Sequence, residues 1–200
     1  KGLAELGVRL PEGVGGVFRG IRFVGDDVSV EADFPSGRAL AIRRTVLHQI
    51  LADTAAEAGV ELCWGTPVGE LGEVSARWIV GADGYNSRIR KWAGLDRWRR
   101  RQERYGFRVH YRIEPWSEYV EVHWHPEFQI YVAPTGVDEV LVALLCRDPH
   151  LRVEEALESF PELRRRLSDA PRTTMERGGI SATRTLWVVT QGAVALVGDA

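Results

Sequence analysis

The stretch from Trp78 to Leu95 constrains this 200-residue chain more than any other. Trp78, Ile79 and Val80 form a short apolar run with β-branched members, bounded by Gly81 and Gly84, which predicts a strand buried on both faces in an α/β sheet. The chain then turns at Asp83-Gly84. Ser87 stands at an N-cap position, Arg88 to Trp92 continue as a helix, and Gly94 is placed to end that helix in a left-handed conformation. In open α/β sheets, ligands bind beyond the carboxyl ends of the strands, where such a turn delivers a carboxylate and bare backbone amides. An Asp-Gly pair after a strand also serves as an ordinary turn.

The rest of the chain sets bounds on that reading. A 44% hydrophobic and 27% charged composition is that of a soluble globular protein. A formal net charge of −2 gives no global pull towards nucleic acid or anionic membrane. No apolar run approaches the roughly 20 residues that span a bilayer, so no integral membrane segment is expected. Cys63 and Cys146 each fall in an apolar run and are expected as reduced core thiols, in keeping with a cytoplasmic setting. With no initiator Met and an end at Val-Gly-Asp-Ala directly after a strand-like run, the chain is expected to be a fragment.

Residues 17–24 and 28–34 alternate as paired strands around a turn at Gly25-Asp26-Asp27, and Ala39 to Ile42 add a third. This predicts a small antiparallel layer. Gly13-Val14-Gly15 does not make a dinucleotide loop, because Phe18 occupies the third glycine position and no strand precedes the first. Arg43 to Ala58 is the clearest helix, stopped by Gly59, and Val60 to Trp64 reads as the strand after it. The basic run at 97–104 reads as a solvated connector or a domain crossover.

Tyr105 to Ile113 alternates strictly, and Tyr119 to Trp124, Phe128 to Ala133 and Glu139 to Cys146 continue the series, which predicts one antiparallel sheet over 105–146. Val140 to Leu145 is apolar without alternation and is expected as a central strand covered on both faces, with Val140, Val142 and Leu144 deeply buried. His123 and His125 share a strand face, but no third metal ligand is fixed by spacing, and no metal is expected. Two short helices follow at 153–160 and 161–167, then strands at 185–190 and 193–197 that lead to Gly198-Asp199.

Gly81-Ala82-Asp83-Gly84 with Ser87 and Arg90 resembles the Asp-Gly motif of the flavoprotein monooxygenases and their relatives, the halogenases and geranylgeranyl-reductase-like oxidoreductases. Arg44-x-x-Leu47 is similar to that family's helix-head arginine, which meets the flavin pyrophosphate. Val194 to Ala200 looks like its Gly-Asp motif, whose aspartate binds the ribityl or ribose hydroxyls of FAD. A backbone position like Val68 meets the adenine in that family. The resemblance implies a mixed α+β and α/β fold, part of a Rossmann-like FAD-binding domain with an inserted antiparallel-sheet substrate domain. The expected boundaries are 1–95 and 186–200 for the FAD-binding part and 96–185 for the substrate sheet.

The cofactor contacts so implied are Arg44, Val68, Gly81, Asp83, Gly84, Ser87, Arg90, Gly198 and Asp199, with FAD as cofactor and NAD(P)H as reductant. The implied activity is NAD(P)H-dependent monooxygenation of a small organic substrate. The alternatives are flavin-dependent reduction of carbon–carbon double bonds and a non-enzymatic binding module. The N-terminal dinucleotide fingerprint is absent, so the fragment alone is expected to be inactive and to lack stable FAD binding. No catalytic residue is assigned; His110, Tyr111, His123 and Tyr131 are candidates for a substrate pocket. Asp83 and Asp199 should lie at one sheet edge, with Arg44 directed into the same space.

Overall fold

The stretch from 105 to 146, read as one antiparallel sheet, becomes the centre of a seven-stranded sheet. The computed structural model describes residues 2–25 and 28–200, without the side chains of 98–102 and 181–184. In chain order its elements are α1 (Gly2–Glu5), β1 (Gly16–Phe18), β2 (Gly20–Val24), β3 (Ser29–Asp33), β4 (Ala39–Ala41), α2 (Arg44–Glu57), β5 (Ile79–Gly81) and α3 (Arg88–Trp92). There follow β6 (Trp98–Arg112), β7 (Tyr119–Trp124), β8 (Phe128–Pro134), β9 (Glu139–Cys146), α4 (Val153–Leu157), α5 (Pro161–Leu167), β10 (Arg177–Leu186), β11 (Thr190–Gln191) and β12 (Val194–Leu196). Contacts divide the chain into two units, one of residues 1–62 and 103–181, the other of 63–102 and 182–200.

In the first unit the strand order is β10-β6-β9-β8-β7-β2-β3. Strands β6 to β9 pair antiparallel as expected. The predicted small layer is instead divided: β1 pairs with β4, whereas β2 joins the large sheet by running parallel to β7, with β3 beyond it as a fully exposed edge strand. The turn expected at 25–27 and most of the basic run's side chains lie outside the described residues.

Because side chains alternate across a strand, the register sorts the sheet into two faces. One carries Val109, Tyr111, Phe128, Ile130, Val132, Val140, Val142, Leu144 and Cys146, packed against Val153, Ala156 and Leu157 of α4 and Leu163 and Leu167 of α5. Val140, Val142 and Leu144 are 2%, 0% and 1% exposed. The other face carries Arg108, His110, Gln129, Tyr131, Leu141, Ala143 and Leu145, and apart from the exposed Arg108 these are half-buried. The expectation that β9 is covered on both faces therefore needs correcting. Helices seal one face only, and a half-open apolar floor remains on the other.

The same register separates the four pocket candidates. Tyr111 and His123 lie on the helix-covered face, while His110 and Tyr131 lie on the open one. His123 is committed to a charged cluster and packs edge-on against Phe160 at the head of α5. Arg22 of β2 sits directly opposite Glu121 of β7 and Glu31 of β3 and bonds both. Glu121 also accepts from Trp116 at 3.1 Å and pairs with His123 Nε2 at 3.2 Å. Burial opposes its ionisation, but the bonds from His123 and Trp116 and the Arg22 charge together hold its pKa below the usual carboxylate value.

Two further expectations fail. Val60 to Trp64 forms no strand, and Val60 and Trp64 are exposed. Cys63 is exposed rather than buried, while Cys146 is buried. The apolar run fits a strand locally, but no neighbouring strand among the described residues completes its hydrogen bonding.

Truncation should separate the two faces of β9. Leu144→Ala should cost about 2–5 kcal/mol in denaturant unfolding, as for a sealed core leucine. Leu141→Ala, on the half-open face, should cost about 1 kcal/mol. Equal losses would contradict the asymmetry.

Candidate functional site

In the second unit, β12 pairs parallel with β5 and antiparallel with β11, giving the order β11-β12-β5. Leu196 lies opposite Gly81, and the Val197 amide donates to the Gly81 carbonyl at 3.0 Å. The two parallel strands thus end side by side. Asp83 follows the end of one and Asp199 the end of the other, so both carboxylates leave the same edge of one sheet, as the sequence predicts.

Gly81 keeps this pair closed. A Cβ there would lie 2.8 Å from both Ile89 Cγ2 and Leu196 Cδ2, so α3 can pack on the strands only because position 81 has no side chain. Ile89, Ala93 and Leu186 surround the small core of Leu95, Leu196 and Ala200. Only that side is covered: Trp78 and Val80 are 62% and 60% exposed, which corrects the expectation of a strand buried on both faces.

The turn after β5 is held by its own polar groups. Asp83 Oδ1 accepts from the Ser87 hydroxyl at 2.5 Å, and Oδ2 accepts from the amides of Arg88 at 2.6 Å and Ile89 at 3.2 Å. Ser87 caps α3 by accepting from the Arg90 amide at 2.9 Å. Partial burial works against the Asp83 charge, but the Ser87, Ile89 and Arg88 hydrogen bonds outweigh it and lower the pKa. Arg90 is 1% exposed and bonds Asp96 at 2.8 Å and the Tyr85 carbonyl at 3.0 Å. Sequence reasoning missed Asp96. The signal was Gly94, whose left-handed turn brings residues 95 and 96 back against the helix.

The candidate residues therefore divide by what their side chains do. Asp83, Ser87 and Arg90 are engaged in building the turn, and Gly84 takes φ +77° within it. Val68 lies in an exposed irregular stretch whose neighbour Gly69 accepts from Arg88 at 3.3 Å, which ties the stretch to the head of α3. Asp199 differs. It is exposed and makes no hydrogen bond or ion pair among the described residues, and it follows Gly198 at φ +65°, where nothing approaches within 4 Å of a would-be Cβ. A free carboxylate beside open backbone suits a ligand rich in hydroxyl donors.

Arg44 belongs to the first unit and opens α2. Its neighbour Arg43 is spent on Glu139, with Nε to Oε1 at 2.7 Å, and on Thr173 at 2.8 Å. Arg44 is exposed and unpartnered among the described residues, and no side chain caps the helix start. A free guanidinium at an uncapped helix N-terminus fits a diphosphate in charge and in donor geometry.

The large mixed sheet and the parallel strand pair that ends in Asp83 and Asp199 give the chain a mixed α/β fold of several sheets. A family model described as FAD binding domain matches residues 50–200, and the chain belongs to that family. Among solved structures it is similar to a triple mutant of a flavin-dependent brominase, with 15% identity over 98% of this chain and 60% of that one and a TM-score of 0.81. It is also similar to a tetrameric form of 2-methyl-3-hydroxypyridine-5-carboxylic acid oxygenase (24% identity, 98% and 61% covered, TM-score 0.74). A third is a geranylgeranyl bacteriochlorophyll reductase-like protein from Thermoplasma acidophilum (19% identity, 98% and 58% covered, TM-score 0.77). These likenesses describe the fold, and the chain spans about three-fifths of the length of those structures. No curated protein matches.

Removing the Asp83 carboxylate should loosen the turn. Asp83→Ala should lose about 1–2 kcal/mol in thermal or denaturant unfolding, the range for a lost helix cap. Since the folded pKa lies below the unfolded value of about 4, the stabilisation is complete above that value and disappears as pH falls through the folded pKa. Asp83→Asn should flatten this acid limb of the stability profile, and an unchanged limb would refute the assignment.

Proposed function

We propose that the protein to which this chain belongs is an FAD-dependent oxidoreductase, and most concretely an NAD(P)H-dependent monooxygenase acting on a small organic substrate. The observation that carries this reading is the free Asp199 carboxylate, at the same sheet edge as the Asp83 turn, in a chain of the FAD-binding-domain family. FAD, when bound, supplies the redox chemistry of such an enzyme.

The chain's own residues hold and orient. Asp199 accepts from ribityl or ribose hydroxyls, with Gly198 leaving the backbone open to approach. Arg44 takes the diphosphate charge, aided by the uncapped amides of α2. Gly81, Asp83, Gly84, Ser87 and Arg90 serve the cofactor by fixing the turn that faces it, and the backbone at Val68 meets the adenine. On this reading 1–95 and 186–200 form the FAD-binding part, and 96–185 the substrate sheet. Its half-open face offers an apolar floor of Leu141, Ala143 and Leu145 with polar groups from His110 and Tyr131. Such a floor shields an organic molecule from water while leaving it hydrogen-bond partners. A cytoplasmic setting accompanies this function. No helix among the described residues is long and apolar enough to cross a membrane.

Oxygenation is preferred to alkene reduction because, of the three structures named, the oxygenase shares the most identical residues with this chain. The full-length protein should show visible flavin absorption after purification. NAD(P)H oxidation should be accompanied by oxygen uptake and a hydroxylated product; a product whose carbon–carbon double bond has been reduced, formed without oxygen uptake, would select the reductase. Asp199→Ala should weaken flavin retention roughly 10- to 100-fold, as for loss of one charge-assisted hydrogen bond. A colourless full-length protein would remove the flavoprotein reading altogether.

A further inference from the structure

The open face of the large sheet carries a polar group in an unusual setting. His110 lies opposite Leu141 on that face, between the buried Val109 and Tyr111 of the other. Its backbone amide donates to Thr174 Oγ1 at 3.1 Å, and its ring Nδ1 lies 3.3 Å from the same oxygen. The Thr174 hydroxyl accepts the amide proton and has its own proton to give; with Oγ1–H paired to Nδ1, the ring proton lies on Nε2. The His110 carbonyl accepts from the Thr173 amide at 2.9 Å; beyond the Thr174 contact the side chains of His110 and Arg108 make no hydrogen bond or ion pair among the described residues, and the half-buried ring does not leave Nε2 as a buried atom without a partner.

The charged surroundings keep the ring neutral. Burial, and then the cations Arg43 and Arg108, push the His110 pKa down to about 4. Glu139, the acid on the same side of the sheet, is neutralised by Arg43 and also accepts from Thr135 and Thr173. Arg108 is two residues from His110 on the same strand face, about 7 Å away along the strand, beside the small Ala143.

We propose that His110 is a specificity-determining donor: its Nε2–H, oriented by Thr174, works with the Arg108 guanidinium to select ligands that present an anionic oxygen, a carboxylate or phenolate, over the apolar floor of β9. A neutral donor is well matched to this task, because the charge is supplied by Arg108 and the direction by the imidazole. The inference deepens the proposed function by naming the chemistry of the molecule that lies on the open face, and it rests on that face being the substrate side.

The test uses the full chain without flavin, with benzoate as the probe and benzamide, its neutral analogue of the same shape, as the control. Nitrogen-15 correlation spectra of the imidazoles should show His110 as the neutral Nε2–H tautomer from neutral pH down to about 5. Benzoate should shift the Nε2 resonance and raise the His110 pKa, and benzamide should do neither. Arg108→Met and His110→Phe should each weaken benzoate binding at least about tenfold, whereas His110→Gln, which keeps a donor, should recover part of the loss. Thr174→Val should mix the tautomers and weaken binding while Arg108 is intact. An Nδ1–H tautomer in the wild-type chain, equal binding of benzamide, or a Gln variant no better than Phe would overturn the proposal. These results are separable from the cofactor question: absence of flavin from the full-length protein would refute the oxidoreductase reading without altering the His110 tautomer or its anion preference.

Discussion

A carboxylate that accepts three hydrogen bonds from the five residues after its own turn decides how the second unit is built. Asp83 binds the Ser87 hydroxyl and the first amides of α3, so the strand, the turn and the helix move as one piece. With the helix direction fixed, Ile89 falls onto Gly81 and Leu196, and only a residue without a side chain is admitted at that contact. The parallel pairing of β5 with β12 follows, and with it the position of Asp199. The charge of Asp83 is consumed in making the edge, and that of Asp199 is left over at it.

The same division between spent and unspent charge recurs at the head of α2. Arg43 and Arg44 are adjacent and chemically identical, yet one is committed to Glu139 and Thr173 and the other is free. An ion pair whose acid is only 12% exposed anchors the helix start to the sheet and leaves the neighbouring guanidinium exposed.

Local chemistry was legible in the sequence where the determinants were themselves local. The Ser87 cap, the Gly94 stop and the alternation of 105–113 each depend on residues within a few positions, and each appears where expected. Long-range choices were not legible. Nothing in Gly20 to Val24 reveals that it lies parallel to a strand 99 residues further on, a pairing that sets Arg22 opposite Glu121. Composition misled at β9, where apolar residues on both faces imitate a strand sealed on both sides. Tyr111 and His123 look like pocket residues by type, and only the register shows them turned towards the helices. Asp83 and Asp199, whose motifs stand in order in the sequence, lie within the residues that the family model matches, since motif order survives where pairing cannot be read.

The exposed outer strand β3 has a consequence for how this chain behaves in solution. Its free hydrogen-bonding edge, with Val28 and Val30 strongly exposed, would template the addition of a foreign strand. Glu31 and Asp33 alternate with those valines and are tied to Arg22 and Arg19, which fixes acidic groups along the rim. Charged side chains along an edge strand discourage the pairing of a further strand, so this edge is guarded by two surface ion pairs that contribute little to folding stability.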